Sequence, residues 1–215
     1  MKNFNCYFLK FNTGLSELES DMRKILDAVG ERMVSITEAV KTEVIIEHSP
    51  ENCIPELGIG GQYTKADSRI NIYLDLTNSH LNENLEQEIG RTFAHEYMHA
   101  LREQYVSWEN GTFLDALIAE GLTQSFEVEV QSHLPPSAYA TALTASELDD
   151  AWIKAKDILN QQEYSDDWFF GGNGIKKWTG YSLGYKLVQN KIKETGLKAS
   201  QLYKLPSTDF LLQSN

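Results

Sequence analysis

Apolar residues in the first part of the chain recur at helical spacing. They fall near i, i+3 and i+4 in Leu15 to Val29 and again in Ile36 to Val40, which predicts a helical N-terminal segment over residues 1–40. The stretch "TEVIIEH" (Thr42 to His48) is rich in β-branched residues and predicts a short strand.

A second period appears in "RINIYLDL" (Arg69 to Leu76), where apolar and polar residues alternate. Ile70 and Ile72 share one face and Tyr73 lies on the other, which predicts a half-buried strand. We expect this strand to lie at the edge of its sheet. The turn-rich stretch before it contains "GIGGQYT", whose glycines leave backbone groups with few side chains in the way of another chain.

The rest of the chain is predominantly helical in pattern. The first of these predicted helices begins at Asn82 or Asn84 and ends near Glu103, and the second runs from about Phe113 to Val130. The third begins with a serine cap at Ser146, and the fourth runs from about Tyr181 to Glu194 before Gly196. The fold class is therefore α+β, mostly helical with a small mixed or antiparallel sheet. No linker or repeat is visible, so we expect one domain over 1–215, with parts at 1–40, 41–130 and 131–215.

Composition narrows the classes of function. The formal net charge of −12 argues against a nucleic-acid partner, because phosphate binding needs clustered Lys and Arg. No apolar run reaches the roughly 18–20 residues of a membrane span, and the first residues lack a secretory pattern, so we expect a cytoplasmic protein without a membrane partner. Cys6 and Cys53 are expected to be reduced, buried thiols.

The stretch "FAHEYMHALRE" carries the candidate chemistry. On a helix, His95 and His99 are four residues apart and project side by side, so their imidazoles can bind one zinc ion. Glu96 lies about 100° round the axis and can reach a zinc-bound water as a general base without ligating the metal. An ordinary helix face with two incidental histidines is the alternative.

A catalytic zinc needs a third protein ligand and leaves its fourth position for water. The first candidate is Glu120, 21 residues beyond His99 on the next predicted helix, with the small residues Ala119 and Gly121 beside it. Other possible ligands are Asp115, Glu127, Glu129 and His133.

Three stretches, "HEYMHALRE", "LIAEGLTQSF" and "GYSLGY", resemble the gluzincin group of metallopeptidases, and in particular the predicted zinc-dependent proteases typified by the Bacillus YjaZ-like proteins. The resemblance covers about Gly58 to Val188. It implies a zincin-like fold with an edge strand above the metal helix, with His95, His99 and Glu120 as ligands and Glu96 as base. Thermolysin-like members carry an acidic residue where this chain has Gln124.

Zincins also draw an oxyanion donor from a Tyr or His outside the metal motif. Tyr181 is the first choice, beside Gly180 and Gly184, with Tyr185 and His133 as alternatives.

Substrate and supporting contacts complete the hypothesis. An extended peptide commonly pairs with a sheet edge, so Ile70, Ile72 and Tyr73 are predicted to bind substrate. Arg102 lies one turn beyond His99 and is predicted to hold the ligand set by pairing with Glu120, Asp115 or another acid, or else to interact with the helix dipole.

These residues predict a zinc metallopeptidase that hydrolyses peptide or protein substrates with a zinc-activated water. The alternative is a non-catalytic zinc-containing regulatory or binding protein on a zincin fold. Retention of Glu96 argues against that alternative, because a purely structural zinc site has no use for a base. The sequence does not predict the oligomeric state.

Overall fold

The computed structural model describes residues 4–9, 14–107 and 111–211. Within them four strands are β1 (Phe4–Leu9), β2 (Thr42–His48), β3 (Ile59–Thr64) and β4 (Arg69–Leu74). The helices are α1 (Leu15–Ile36), α2 (Ser79–Arg102), α3 (Phe113–Val130), α4 (Ala145–Ala155), α5 (Asp167–Phe170), α6 (Thr179–Thr195) and α7 (Ala199–Leu202), and single 3-10 turns lie at Pro50–Asn52, Lys65–Asp67 and Ser207–Phe210. This confirms an α+β chain that is mostly helical.

Backbone contacts divide the chain into two compact units. The first comprises Met1–Leu101 with Val130–Leu134, and the second comprises Arg102–Glu129 with Pro135–Asn215. The single domain expected above stays a prediction. No helix of the described residues is both long and apolar enough to cross a bilayer.

The first unit contains a mixed four-stranded sheet in the order β1-β2-β4-β3. β1 and β4 each pair in parallel with β2, and β3 pairs antiparallel with β4. The small mixed sheet is thus confirmed, while the position predicted for Arg69 to Leu76 is wrong: β4 is paired on both sides, and β3 is an edge strand. Buried residues on both faces of β4, including Ile70, Asn71 and Ile72, reflect this interior position.

One face of the sheet packs against α2. Phe4 meets Phe93 and Tyr97 of that helix with ring centroids 5.1 and 5.4 Å apart. The Tyr97 hydroxyl donates to the Glu38 carbonyl (2.7 Å) and accepts from the Val40 N–H (3.2 Å), which ties α2 to the chain that enters β2. These contacts fix the rotation of α2 about its axis.

Several local predictions need correction. The first 40 residues contain β1 as well as a helix, and α1 ends at Ile36, so residues 37–40 are not helical. α2 begins at Ser79, although Asn84 is non-helical (φ −126°, ψ 25°) and kinks it at a predicted cap. α4 is capped by Thr144 with Glu147 in a capping box, not by Ser146.

The second unit is built from helices. α3 has the bounds predicted for it, and α6 closes at Gly196 in the left-handed conformation, as predicted. Phe113 at the start of α3 contacts the rings of Tyr164 and Trp168 at 5.1 and 4.9 Å. This aromatic cluster anchors the irregular segment between α4 and α5 to α3.

Candidate metal centre

The two motif histidines lie side by side on α2, as their spacing predicts. The rings of His95 and His99 are 5.0 Å apart between centroids, and both side chains are half-buried. Each histidine comes two residues after an aromatic residue that faces Phe4, so it lies about 200° round the helix from that contact. The packing of α2 on the sheet therefore turns the histidine pair away from Phe4.

Glu96 is buried, with 6% of its surface exposed, and lies against the edge strand β3. A Cβ atom added to Gly61 would lie 2.5 Å from Glu96 Oε1 and 2.8 Å from Glu96 Cγ. The neighbouring Thr92 Cγ2 would be 2.7 Å away. The strand can thus pass this close to the carboxylate only because residue 61 has no side chain.

Gly61 itself is exposed. In the antiparallel ladder the Gly58 carbonyl accepts from Asp75 N–H (2.8 Å), so Gly58 faces β4. In an antiparallel pair, residues whose N–H and C=O point to the neighbouring strand alternate with residues whose groups point away from it. Gly61 is three residues after Gly58, so its N–H and C=O point away from β4. Within the described parts of the chain these groups have no hydrogen-bond partner, and they lie beside Glu96.

The substrate-binding prediction for Ile70, Ile72 and Tyr73 is wrong as far as strand pairing is concerned. All three belong to β4, whose two edges are occupied by β2 and β3, so their backbone cannot receive a further strand. The alternating pattern revealed the strand but showed neither its position in the sheet nor the burial of its second face.

Glu120 lies on α3 in the second unit and is half-buried. Ligand atoms of His95, His99 and Glu120 all lie within 4.8 Å of one another, and no other such group of three or more His, Cys, Asp or Glu occurs in the part of the chain that is described. A candidate His/His/Glu metal site therefore exists.

Gly121, beside Glu120, allows α3 and α6 to cross at backbone contact. A Cβ at Gly121 would lie 2.1 Å from the Gly184 carbonyl oxygen, and one at Gly184 would lie 2.0 Å from that of Leu117. This explains a glycine inside a helix, where it costs roughly 1 kcal/mol relative to alanine.

Tyr181 lies one turn before Gly184 on α6 and is half-buried. Its ring contacts Phe169 at 5.1 Å and Tyr139 at 5.4 Å, which restricts its rotation. Tyr185, the alternative, lies near Glu127; burial raises the pKa of its phenol, and the Glu127 carboxylate adds to the rise.

Sequence reasoning missed Tyr164, a phenol whose ring contacts Phe113 at the start of α3. Burial raises the pKa of Tyr164, and the carboxylates of Asp166, Glu120 and Asp115 raise it further, which places its hydroxyl within electrostatic reach of Glu120. It lies in an irregular segment without periodicity, so no sequence signal marks it.

The other carboxylates considered as the third zinc ligand form hydrogen bonds within the second unit. Glu127 accepts from the Tyr139 hydroxyl at 2.8 Å, and Glu129 accepts from the N–H and hydroxyl of Ser200 at 3.0 and 2.6 Å. Asp115 accepts from Thr112 N–H at 2.8 Å. His133, the remaining alternative, is exposed beyond the end of α3.

Arg102 is buried and binds the C-terminal segment. It donates to the carbonyls of Tyr203 (2.9 Å) and Leu205 (3.1 Å) and to the Ser207 hydroxyl (2.9 Å), which in turn donates to Asp115. Burial lowers its pKa to about 10. Its guanidinium thus reaches Asp115 through Ser207, and the predicted support of the ligand set stays a prediction.

The donor set fits zinc. Two imidazoles and a carboxylate are the protein ligands of one common class of catalytic zinc site, which leaves a fourth position open. Gln124, one turn beyond Glu120, is fully buried, and neither polar atom of its side chain has a hydrogen-bond partner among the described residues. This unsatisfied amide lies one helical turn from the candidate ligand Glu120.

Comparison with known proteins agrees with this chemistry. Residues 18–212 match the family described as "Predicted Zn-dependent protease (DUF2268)", so its description confirms the zinc predicted from the sequence. A relative is the "Uncharacterized protein YjfC" of Bacillus subtilis (strain 168), 23% identical over 139 residues, which are 58% of this chain and 46% of the relative. The chain thus spans about half the length of that relative. No solved structure matches.

Proposed function

The chain belongs to this family of predicted zinc-dependent proteases, and from that premise we propose that it is a zinc peptidase of the gluzincin type with a zincin-like fold. The observation that carries the proposal is the placement of Glu96. Its carboxylate follows a potential zinc ligand in the sequence and touches the exposed edge strand at Gly61. A structural zinc site would need neither a base nor an accessible strand edge.

His95, His99 and Glu120 would hold the zinc ion. When bound, zinc polarises a substrate carbonyl and lowers the pKa of a bound water toward about 7. A Zn²⁺ ion held by two neutral imidazoles and one carboxylate would keep a net positive charge, which favours ionisation of the bound water and polarisation of the carbonyl. His95 and His99 are preset for this role by one helix turn, and Glu120 is held by the crossing of α3 and α6 beside it.

Glu96 would act as the general base and then as the general acid. It accepts a proton from the attacking water as the new C–O bond forms, and it donates that proton to the departing amine nitrogen as the C–N bond breaks. Its low exposure of 6% keeps bulk water from competing for the proton. Contact with Gly61 limits its rotamers and so favours a fixed position.

The peptide or protein substrate would pair with β3 rather than with β4. Gly61 points its N–H and C=O outward, and a substrate strand that bonds to these groups passes directly beside Glu96. The backbone of β3 thereby orients the scissile bond, and these backbone hydrogen bonds do not select for particular substrate side chains.

Tyr181 is proposed to donate a hydrogen bond to the carbonyl oxygen as negative charge develops there. Phe169 and Tyr139 hold its ring, and the crossing at Gly184 brings its helix beside the residue that follows Glu120. Tyr164, which senses the charge of Glu120, is the rival donor.

Metal content and peptide cleavage together test the proposal. Protein purified without a metal-affinity tag should carry about one zinc per chain by mass spectrometry, unchanged in Glu96→Gln and markedly lower in Glu120→Gln. Cleavage of a mixed peptide library should be lost in both variants. Glu86→Gln, on an exposed position of α2, is the matched control and should keep both properties.

Two results would contradict the proposal. Wild-type protein that takes up no zinc on incubation would exclude the metal site. Full activity in Glu96→Gln would exclude Glu96 as the base while leaving the metal site intact. Tyr181→Phe and Tyr164→Phe, measured in parallel, identify the donor, because only the donor's loss should lower kcat by about 10²-fold or more without changing zinc content.

A further inference from the structure

The outer edge of β3 is closed at its beginning. Ile54 N–H donates to the Ile59 carbonyl at 3.0 Å, and the N–H groups of Leu57 and Gly58 donate back to the Ile54 carbonyl at 2.9 and 2.8 Å. These bonds form a tight turn that folds Ile54 antiparallel onto Ile59. The position that a substrate strand would take beside Ile59 is therefore filled by the chain itself.

The segment leading into this turn also covers β3. A Cβ added to Gly60 would lie 2.1 Å from the Asn52 carbonyl oxygen and 3.4 Å from Cys53 Cα. Ile59 and Gly60 are accordingly buried, whereas Gly61 is exposed. The backbone from Asn52 to Ile54 thus forms a wall. Asn52 lies over the face of β3 at Gly60, and Ile54 closes the edge of the strand at Ile59, before Gly61.

Gly61 is the first open position of the strand. Its neighbour Gly60 faces β4, and the outward groups before that belong to Ile59, whose carbonyl Ile54 occupies. Beyond Gly61 the strand continues to Thr64 without a described strand on its outer side. A peptide that pairs with Gly61 therefore meets the wall on the Ile59 side and extends in the direction of Thr64.

Glu96 lies at the closed end of this open edge, because it contacts Gly61. Ile59 and Gly61 are two residues apart, so the wall begins roughly 7 Å along the strand from the carboxylate. That length accommodates about two substrate residues. The proposed chemistry would therefore take place next to the point where an extended substrate must stop.

We propose that this peptidase acts near one end of its substrates and releases fragments of about one to three residues. The inference rests on the proposed function and narrows its substrate class to peptides presented by a free terminus. Each turnover adds one water across one amide bond, so the products are a short fragment and the shortened peptide. A long chain would fit only by bending sharply away from β3 at the wall.

The test uses the full zinc-loaded chain and two libraries of random dodecapeptides, one linear and one cyclised head to tail. Mass spectrometry of the products should place nearly all cuts within three bonds of the same terminus. Cyclic peptides should be cut at least tenfold more slowly. Acetylated and amidated linear sets then identify which terminus is required.

Cuts spread evenly along the linear peptides, or equal rates on the cyclic ones, would overturn this inference while supporting the proposed peptidase. No cleavage of either library by protein that carries zinc would overturn the proposed function, and this inference with it. The two failures are therefore distinguishable.

Two further measurements address the wall directly. In Glu96→Gln protein, binding of a linear peptide should slow hydrogen exchange at the Gly61 amide and leave Ile59 unchanged; equal slowing at both would contradict the wall. Ile54→Pro removes the N–H that Ile59 accepts and should raise internal cleavage severalfold. Ile54→Val keeps that N–H and should reproduce the wild-type product lengths, and a wild-type pattern in a folded Ile54→Pro variant would refute the role of Ile54.

Discussion

Alanine substitutions at the adjacent glycines of β3 should have opposite consequences for stability and activity. Gly60 and Gly61 point to different faces of the sheet, since side chains alternate along a strand. At Gly60 the added Cβ meets the Asn52 backbone, and at Gly61 it meets side-chain atoms of Glu96 and Thr92. Neither residue has a positive φ, so backbone strain does not enter.

Gly60→Ala should mainly destabilise the protein. Its Cβ would lie 2.1 Å from a backbone oxygen, and backbone cannot rotate away, so the turn before β3 must shift by more than 1 Å. Such overpacking costs about 1–3 kcal/mol. At roughly 2–4 °C per kcal/mol for a chain of this size, we expect Tm to fall by several degrees.

Gly61→Ala should mainly impair activity. Ordinary contact begins near 3.4 Å, so Glu96 Oε1, 2.5 Å from the new Cβ, must move by about 0.9 Å. The Thr92 methyl, 2.7 Å away, must also shift. Side chains can move at a smaller loss of stability than backbone, and the smaller entropy of the unfolded alanine variant offsets about 0.4–1 kcal/mol of that loss. A misplacement of about 1 Å in a catalytic group can lower the rate by about 10²-fold.

Thermal unfolding, zinc content and kcat/KM on the same peptide library measure the contrast. Gly61→Ala should keep its zinc and nearly its full Tm while losing about 10²-fold in kcat/KM. The reasoning is refuted if Gly61→Ala cleaves peptides at the wild-type rate, or if it loses as much Tm as Gly60→Ala does.

Four other variants test the surrounding structure. Gly121→Ala should lower stability by about 1–3 kcal/mol or more, because its Cβ would lie 2.1 Å from the Gly184 carbonyl oxygen; a neutral result in thermal unfolding would rule out the close crossing. Arg102→Met removes a buried cation from its three acceptors and should lower the free energy of unfolding by about 3–5 kcal/mol in urea, whereas Ser207→Ala should cost only about 1 kcal/mol. Hydrogen bonds from the Thr144 backbone and the Lys176 side chain lower the pKa of Glu147 to about 2. A lowered carboxyl pKa stabilises above the unfolded value of 4.5 and loses that effect as pH falls toward 2, so the Tm deficit of Glu147→Gln should be present at pH 7 and vanish near pH 2.

Local sequence signals predicted α3 and β4, although both elements are buried on most sides. α3 was bounded correctly because its apolar residues and the prolines beyond it are local signals, and β4 was found because Ile70, Ile72 and Leu74 alternate. β1 was missed because its apolar residues do not stand out from the polar ones between them, and β3 because its two glycines are typical of a turn. The middle of the predicted loop after α2, residues 108–110, lies outside the described residues.

The candidate site was predictable to the extent that it is local. H-E-x-x-H fixes three side chains on one helix through the helix geometry alone, and this needs no knowledge of the rest of the fold. Strand order has no such local signal: a parallel crossover places β4 beside β2, and the intervening β3 then pairs on the outside of β4. The substrate residues were misassigned because they depend on that order.

The register of the β3–β4 pairing determines which backbone groups of β3 point outward. This register depends on contacts far from the H-E-x-x-H motif. Asp75 N–H bonds to Gly58, which turns Gly61 outward; a shift of one residue would turn Gly61 toward β4 and place Gly60 at the edge. Residue 60 would then lie beside Glu96, and the Ile54 turn would no longer fit against residue 59. One register thus sets three things together: the free backbone groups, the space for the Glu96 carboxylate and the wall that limits the substrate.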